Sequence, residues 1–193
     1  LDRDPLVCEA SASRASRRGR EREALWHIGR VEGDTQIKRA LVAALVAQLD
    51  DELATMKRAA RQAREAATHE ESKPENDKDT RALEASYLAG AQAARARELE
   101  GAIKAVKGMP LLDFGEGKTI QSSAIVTLED EDGARTTLFL APFGGGIRLT
   151  VGSLQAQVVT PQSPRGQTLL GARVGDVLEA RGTSSELTIV DVR

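Results

Sequence analysis

The chain has 193 residues, with 27 lysines and arginines against 29 aspartates and glutamates and a formal net charge of −2. That balance supplies no overall positive field for holding DNA or RNA directly, and an aromatic content of 3% leaves little with which to line a flat apolar substrate pocket. Charged residues at 29% beside hydrophobic residues at 40% can fold, but they favour a thin or extended part over one thick core.

Residues 1–30 are rich in Arg and Ser and carry neither the apolar core of a secretory signal nor a clear amphipathic pattern. Asp2, Asp4, Glu9, Glu21 and Glu23 dilute the basic field. Segment 1–34 is therefore expected to be a disordered extension, and Val31 is compatible with an alternative start codon. The one cysteine, Cys8, has no internal partner for a disulfide, which fits a reducing cytoplasm. The longest apolar run, from Ala40 to Leu49 and broken by Gln48, is far shorter than the roughly 20 residues of a membrane span. A cytoplasmic protein without membrane attachment is expected.

Asp34 and Thr35 offer an N-cap to a stretch without Pro or Gly before Pro74. A helix nearly to His69 follows, about 50 Å long at 1.5 Å per residue. Val42, Leu45, Leu49, Met56, Ala59, Ala63 and Ala66 fall on one heptad seam with Glu52 as its break, so the helix needs a partner along its length. A second helix from about Glu75 to Lys107, stopped by Gly108 and Pro110, supplies one of matching length. Leu88, Leu99, Ile103 and Val106 give that helix an apolar base, whereas Ala85, Ala89, Ala91 and Ala94 dominate its distal half. The result is a hairpin over 35–108, bulky at the root and slender towards a tip near 69–79. Ala is also simply the best helix former, which explains the distal alanines equally well.

Beyond Pro110 the apolar period changes from 3.6 to 2, which places a linker at 109–117 and a second domain at 118–193. Strands are expected at Ser123 to Leu128 and Thr136 to Leu140, joined through Asp132-Gly133. A second pair, Ile147 to Val151 and Gln155 to Val159, surrounds Gly152-Ser153. Ser163 as cap and Pro164 at the first helical position open a short helix through Leu170. Val174 to Arg181 and Leu187 to Val192 complete a small antiparallel sheet. The fold class is α+β.

The stretch Val-Thr-Pro-Gln-Ser-Pro-Arg-Gly-Gln-Thr-Leu-Leu-Gly-Ala-Arg-Val-Gly-Asp-Val-Leu-Glu at 159–179 resembles the C-terminal signature of the GreA/GreB transcript cleavage factors. That family joins an antiparallel coiled-coil hairpin to an FKBP-like sheet domain, and the resemblance covers residues 35–193. It implies a monomeric accessory factor, not itself an enzyme, that docks its C-terminal domain on core RNA polymerase. The hairpin would then enter the secondary channel and bring acidic side chains near the active-site Mg²⁺, with nucleic acid met only through the elongation complex. The family's tip motif is Asp-x-x-Glu-Asn, and this chain has Ser72-Lys73-Pro74-Glu75-Asn76. Glu75 and Asn76 match; Ser72 stands at the Asp position, directly after Glu71.

By this resemblance Glu75 assists catalysis with Glu71 and Asn76 beside it, and Glu75, Glu71, Asp77 and Asp79 are candidate ligands to an Mg²⁺ ion shared with the polymerase. Mg²⁺ keeps several waters and is held by one or two carboxylates, so the donor set suffices in kind. Ser72-x-x-Glu75 is equally a capping box, and Asp77 and Asp79 suit the positive end of a helix, so cleavage and mere channel occupation both stay open. His69 has no cysteine or second histidine near it in sequence to complete a metal site. Ser163 lacks a neighbouring base, and Gly144-Gly145-Gly146 lacks the Lys-Ser/Thr of a phosphate loop. Two other classes compete. A prolyl isomerase would need an aromatic pocket, and the sheet domain has only Phe139 and Phe143; a coiled-coil adaptor would use its acidic tip for solubility alone.

Overall fold

The computed structural model describes residues 33–62, 65, 81–115, 117–179 and 186–193, with backbone alone at 81–86 and 88. Two long helices come first, α1 over residues 33–62 and α2 at Arg81–Lys107. They run antiparallel: Lys107 lies 3.8 Å from Asp50 and Lys57 2.7 Å from Glu100, so numbers rise on one helix as they fall on the other. Both pairs are exposed and screened by solvent, so they contribute little to stability. The Lys57 ammonium, hydrogen-bonded to Glu100, holds that carboxyl below its ordinary range. Where α1 was expected to continue towards His69 and α2 to begin near Glu75, the chain lies outside the described residues.

The buried ridge of α1 is Leu41, Leu45, Leu49 and Leu53, a step of four that follows a single i, i+4 row of the helix surface. This corrects the expected seam. Leu53 occupies the place given to a break at Glu52, which instead sits 3.9 Å from Arg95 at the flank of the helix pair. Val42 and Met56 are half-buried and Ala59 is exposed, because α1 must face the sheet as well as α2, and a helix serving two partners does not keep a pure coiled-coil heptad. Ala63 and Ala66 lie outside the described residues. On α2 the basal face is as expected, with Leu99, Ile103 and Val106 buried.

Six strands follow: β1 (Ile125–Asp130), β2 (Arg135–Leu140), β3 (Arg148–Val151), β4 (Leu154–Val159), β5 (Val177–Glu179) and β6 (Glu186–Val192), with a short helix α3 (Pro164–Leu169) between β4 and β5. Their order across the sheet is β3-β4-β2-β1-β6-β5. The sheet is mixed: β2 and β4 pair in parallel through Leu138↔Gln157, Phe139↔Val158 and Leu140↔Val159, where an antiparallel sheet was expected; the other neighbouring pairs are antiparallel. The reason lies in which strand of the β3–β4 hairpin is more apolar. β4 buries Ala156, Val158 and Val159, while β3 buries Leu149 and exposes Arg148 and Thr150. The apolar strand takes the inner place and the polar one becomes the edge, which sets β4 in the same direction as β2.

Both faces of the sheet are covered at its centre, so neighbouring residues of one strand are buried together, Ile125 with Val126 on β1 and Leu138 with Phe139 and Leu140 on β2. Ile125, Phe139, Leu149, Ala156 and Val158 join one core with the α1 leucines and with Leu99, Ile103 and Val106 of α2. Val126, Leu138, Leu140, Val159, Ile189 and Val192 form the second core with Ile120 and Leu169 of α3. The hairpin's root is thus part of the sheet's own interior. The backbone comes close to α1 at Gly144, whose φ is +87° and where a Cβ would stand 2.7 Å from Leu45 Cδ1; Gly is the residue that meets both demands.

Segment 109–117, expected to be a linker, is tied to both sides. The Leu112 amide donates to Ser123 Oγ at 2.9 Å, and its carbonyl accepts from Lys38 Nζ at 2.5 Å. Lys38 is 2% exposed, and its ammonium stands 4.5 Å from the centre of the Phe114 ring. Burial lowers its pKa from 10.5 to about 8, against the opposing pull of Asp34 and Asp113. The sign follows from proton linkage: between these two values the unfolded chain binds the proton more readily, so stability rises with pH across that window. We expect denaturant titrations of the wild type to show this rise from about pH 8 towards 10.5, and Lys38→Met to lack it; equal slopes in the two proteins would contradict the assignment.

Candidate functional site

The resemblance is carried by residues 159–179, and here the structure is dense in local constraints. The Thr160 carbonyl accepts from the Ser163 amide at 3.0 Å and from Ser163 Oγ at 2.7 Å. Ser163 Oγ in turn accepts from the Gly166 amide at 3.1 Å, capping α3 with Pro164 at its start. This is the cap expected from the sequence. Gly166 is fixed by packing: a Cβ there would lie 1.9 Å from the Thr160 oxygen, a collision with backbone that no side-chain rotation relieves.

α3 ends on the fully buried Leu169, and the chain turns outward at Leu170. The loop is then stitched to its surroundings from both ends. Gly171 donates to the Ile120 carbonyl at 3.0 Å, and Ile120 donates back to Ala172 at 2.8 Å. Asp176 Oδ2 accepts from the Arg173 amide at 2.8 Å, Gly175 donates to Ile189 at 2.8 Å, and Ile189 donates to Asp176 at 3.0 Å. Gly171 and Gly175 both have positive φ, +84° and +93°. β5 was expected to start at Val174; the Arg173–Asp176 turn with its left-handed Gly175 delays it to Val177.

This stitching presents three large apolar side chains to solvent: Leu170, Val174 and Val177 are 39%, 57% and 54% exposed. Leu170 and Val174 lie on the tied loop, and Val177 opens β5. Sequence reasoning placed both Val174 and Val177 in a strand; the structure keeps Val177 there, as the first residue of β5, and puts Val174 in the loop, for which the flanking Gly171 and Gly175 are the signal.

The other sequence-derived site residues, Glu71, Ser72, Glu75, Asn76, Asp77 and Asp79, lie outside the described residues, as do His69 and Cys8. Among the described residues no group of three His, Cys, Asp or Glu side chains is placed to hold a metal ion, and no helix is long and apolar enough to cross a membrane. In the distal part of the described hairpin, alanines (Ala60 of α1 with Ala89, Ala93 and Ala96 of α2) line a groove together with the longer Met56, Lys57, Arg61 and Gln92.

No family model matches the sequence, and no curated protein does. Solved structures similar to the chain include the GreA factor homolog 1 (Gfh1) protein of Thermus thermophilus, 24% identical, covering 78% of this chain and 95% of that one with a TM-score of 0.33. Gfh1 of Thermus aquaticus is 22% identical over 78% of this chain and 95% of its own, with a TM-score of 0.31. A prokaryotic transcription elongation factor GreA/GreB from Nitrosomonas europaea is 19% identical over 49% of this chain and 78% of its own, also with a TM-score of 0.31.

The packing ranks two substitutions at this site. Gly166→Ala should destabilise by about 3 kcal/mol, as overpacking against immovable atoms does, while Ser163→Ala should cost about 1 kcal/mol as a lost cap. Urea unfolding of both variants tests the order; a Gly166→Ala as stable as wild type would show that α3 shifts away from Thr160 at little cost.

Proposed function

We propose that the chain is an accessory factor that binds core RNA polymerase as a monomer and modulates transcript elongation in the cytoplasm. The observation that carries this is the exposure of Leu170, Val174 and Val177, the first two on a tied loop and the third at the start of β5, within the stretch that resembles the GreA/GreB signature; these three are read as a docking rim. In this scheme the rim docks on the polymerase and the hairpin enters the secondary channel. The alanines of its described distal part suit a narrow passage, and the shared core at its root aims it. Contact with nucleic acid is then only through the elongation complex, and any chemistry belongs to the polymerase active site.

At the tip, Glu75 with Glu71, Asp77 or Asp79 offers the all-oxygen donor set that suits an Mg²⁺ ion held by the polymerase, with Asn76 adjoining. The GreA/GreB resemblance supports transcript cleavage at this point. Ser72, where the family has Asp, favours a second version in which the factor occupies the channel without cleavage.

The two versions part on substitution. Val174→Glu and Val177→Glu should each weaken polymerase binding roughly tenfold or more, since burying one valine is worth about 1.5–3 kcal/mol; unchanged binding in pull-downs would remove the rim from the interface. Glu75→Gln keeps capping geometry but removes a charge, so it should bind as wild type and lose any shortening of transcripts in stalled complexes with Mg²⁺. Ser72→Asp, an equally good cap, should increase shortening. If neither changes the transcripts while the rim variants abolish binding, the factor acts by occupation alone.

A further inference from the structure

The loop that carries Leu170 and Val174 also forms one wall of a cleft of about 500 Å³, with segment 112–121 opposite. The two walls are clamped together: the Ile120 carbonyl accepts from Gly171 at 3.0 Å and its amide donates to Ala172 at 2.8 Å. Three charged side chains line the cleft, Asp113, Lys118 and Arg173. Two of them answer each other, since Lys118 Nζ lies 3.5 Å from Asp113 Oδ2 and donates to the Asp113 carbonyl at 2.9 Å. Arg173 is left over. Its amide is held by the Asp176 carboxylate at 2.8 Å, but its exposed guanidinium has no partner among the described residues. The side chains of Thr119 and Gln121 are likewise unengaged there and bring a hydroxyl and a carboxamide to the same cleft, while the half-buried Phe114 ring gives it an apolar wall.

We propose that this cleft takes the side-chain carboxylate of an Asp or Glu on the partner protein, with Leu170 and Val174 covering apolar residues beside it. The proposal rests on the reading of this face as a polymerase-docking rim and adds the chemistry of what the rim meets. An arginine fork holds a carboxylate through two parallel hydrogen bonds, and a preformed cleft spares the cost of ordering it. With Lys118 and Asp113 set against each other, the lining keeps one positive charge, which matches one carboxylate. A nucleic-acid strand fits worse: it needs a row of cations along its phosphates, whereas Asp113 and Asp176 stand on either side of the one cation in surplus. The apolar neighbours point the same way, since Val174 adjoins Arg173 in the loop and both it and Leu170 are exposed, a contact that a protein surface can use and a phosphate backbone cannot. A charge set among apolar contacts fixes register and partner choice more than it adds affinity.

Binding of the full-length protein to core RNA polymerase at low and high KCl tests this. Arg173→Ala should weaken binding about tenfold, the scale of one hydrogen bond to a charged group, and should flatten the salt dependence seen with the wild type. Arg173→Lys, which keeps the charge without the fork, should lose less, and Arg173→Glu more. Arg148→Ala, an exposed cation on β3 at the opposite edge of the sheet, should bind as the wild type does. Full affinity in Arg173→Ala while Val174→Glu loses binding overturns the carboxylate cleft and leaves the rim in place. If the wild type itself does not bind polymerase, the rim reading fails, and the cleft is decided without it by NMR of the isotope-labelled protein with acetyl-Leu-Glu-Leu-amide and acetyl-Leu-Gln-Leu-amide. The Glu peptide should shift the Arg173 side-chain and Thr119 amide signals saturably in the wild type and leave the Thr119 signal of Arg173→Ala in place. No shift, or the same shift with the Gln peptide, overturns the proposal.

Discussion

Three leucines at a spacing of four, Leu41, Leu45 and Leu49, bury themselves on a β-sheet whose inward residues are Ile125, Phe139, Leu149, Ala156 and Val158. The rest of the architecture depends on this contact. It makes the helical hairpin a rigid extension of the sheet instead of a tethered appendage. It also requires Gly at position 144, where the backbone comes against Leu45, and it draws α2 in behind α1 through Leu99, Ile103 and Val106. Further out, where the sheet no longer reaches, the hairpin keeps small side chains and exposed ion pairs, and its cohesion falls accordingly.

The hairpin belongs to the first core, while the loop after α3 packs on the second through Ala172. Two sets of polar ties complete what the core begins. On one side Leu112 is held through both its backbone groups, by Ser123 and by Lys38, so the passage from α2 into the sheet is not a swivel. On the other, Arg193 exchanges both backbone hydrogen bonds with Ile125, and its guanidinium stands 4.0 Å from Asp34 at the start of α1. The loop 170–176 is bonded to Ile120 and Ile189, residues of the second core. Rim, sheet and hairpin root therefore form one mechanical unit.

Much of this was legible in the sequence because period and punctuation report local structure. Gly108 and Pro110 marked the end of α2, Ser163-Pro164 marked α3, and the strands fall within a few residues of their expected places. What escaped was set by partners distant in sequence. Nothing local says that Leu53 and not a heptad position closes the ridge, since that depends on the sheet's presence beneath α1. Nothing local places β4 beside β2, because strand order is a contest between whole strands for the interior. Lys38 reads as a solvated helix residue until Phe114 and the Leu112 carbonyl arrive from segment 109–117. Val174 fits a strand pattern that continues into Val177, but a left-handed Gly175 interrupts it and leaves Val174 in the loop. The tip residues were legible only through motif, and their arrangement lies outside the described residues.

The leucine ridge also bears on how the chain is made. Leu45 meets Gly144, and Gln48 donates to the Arg148 carbonyl across 100 positions of sequence, so α1 leaves the ribosome long before the surface it will cover has been synthesised. Until β4 is complete, four leucines on that helix have only α2 to shelter them. Contacts between such distant segments are slow to close, and apolar surface left waiting is what draws nascent chains into aggregates. Early pairing of α1 with α2 is thus more than a step towards the final shape: it acts as temporary cover, a holding state from which the helices are later handed over to the sheet.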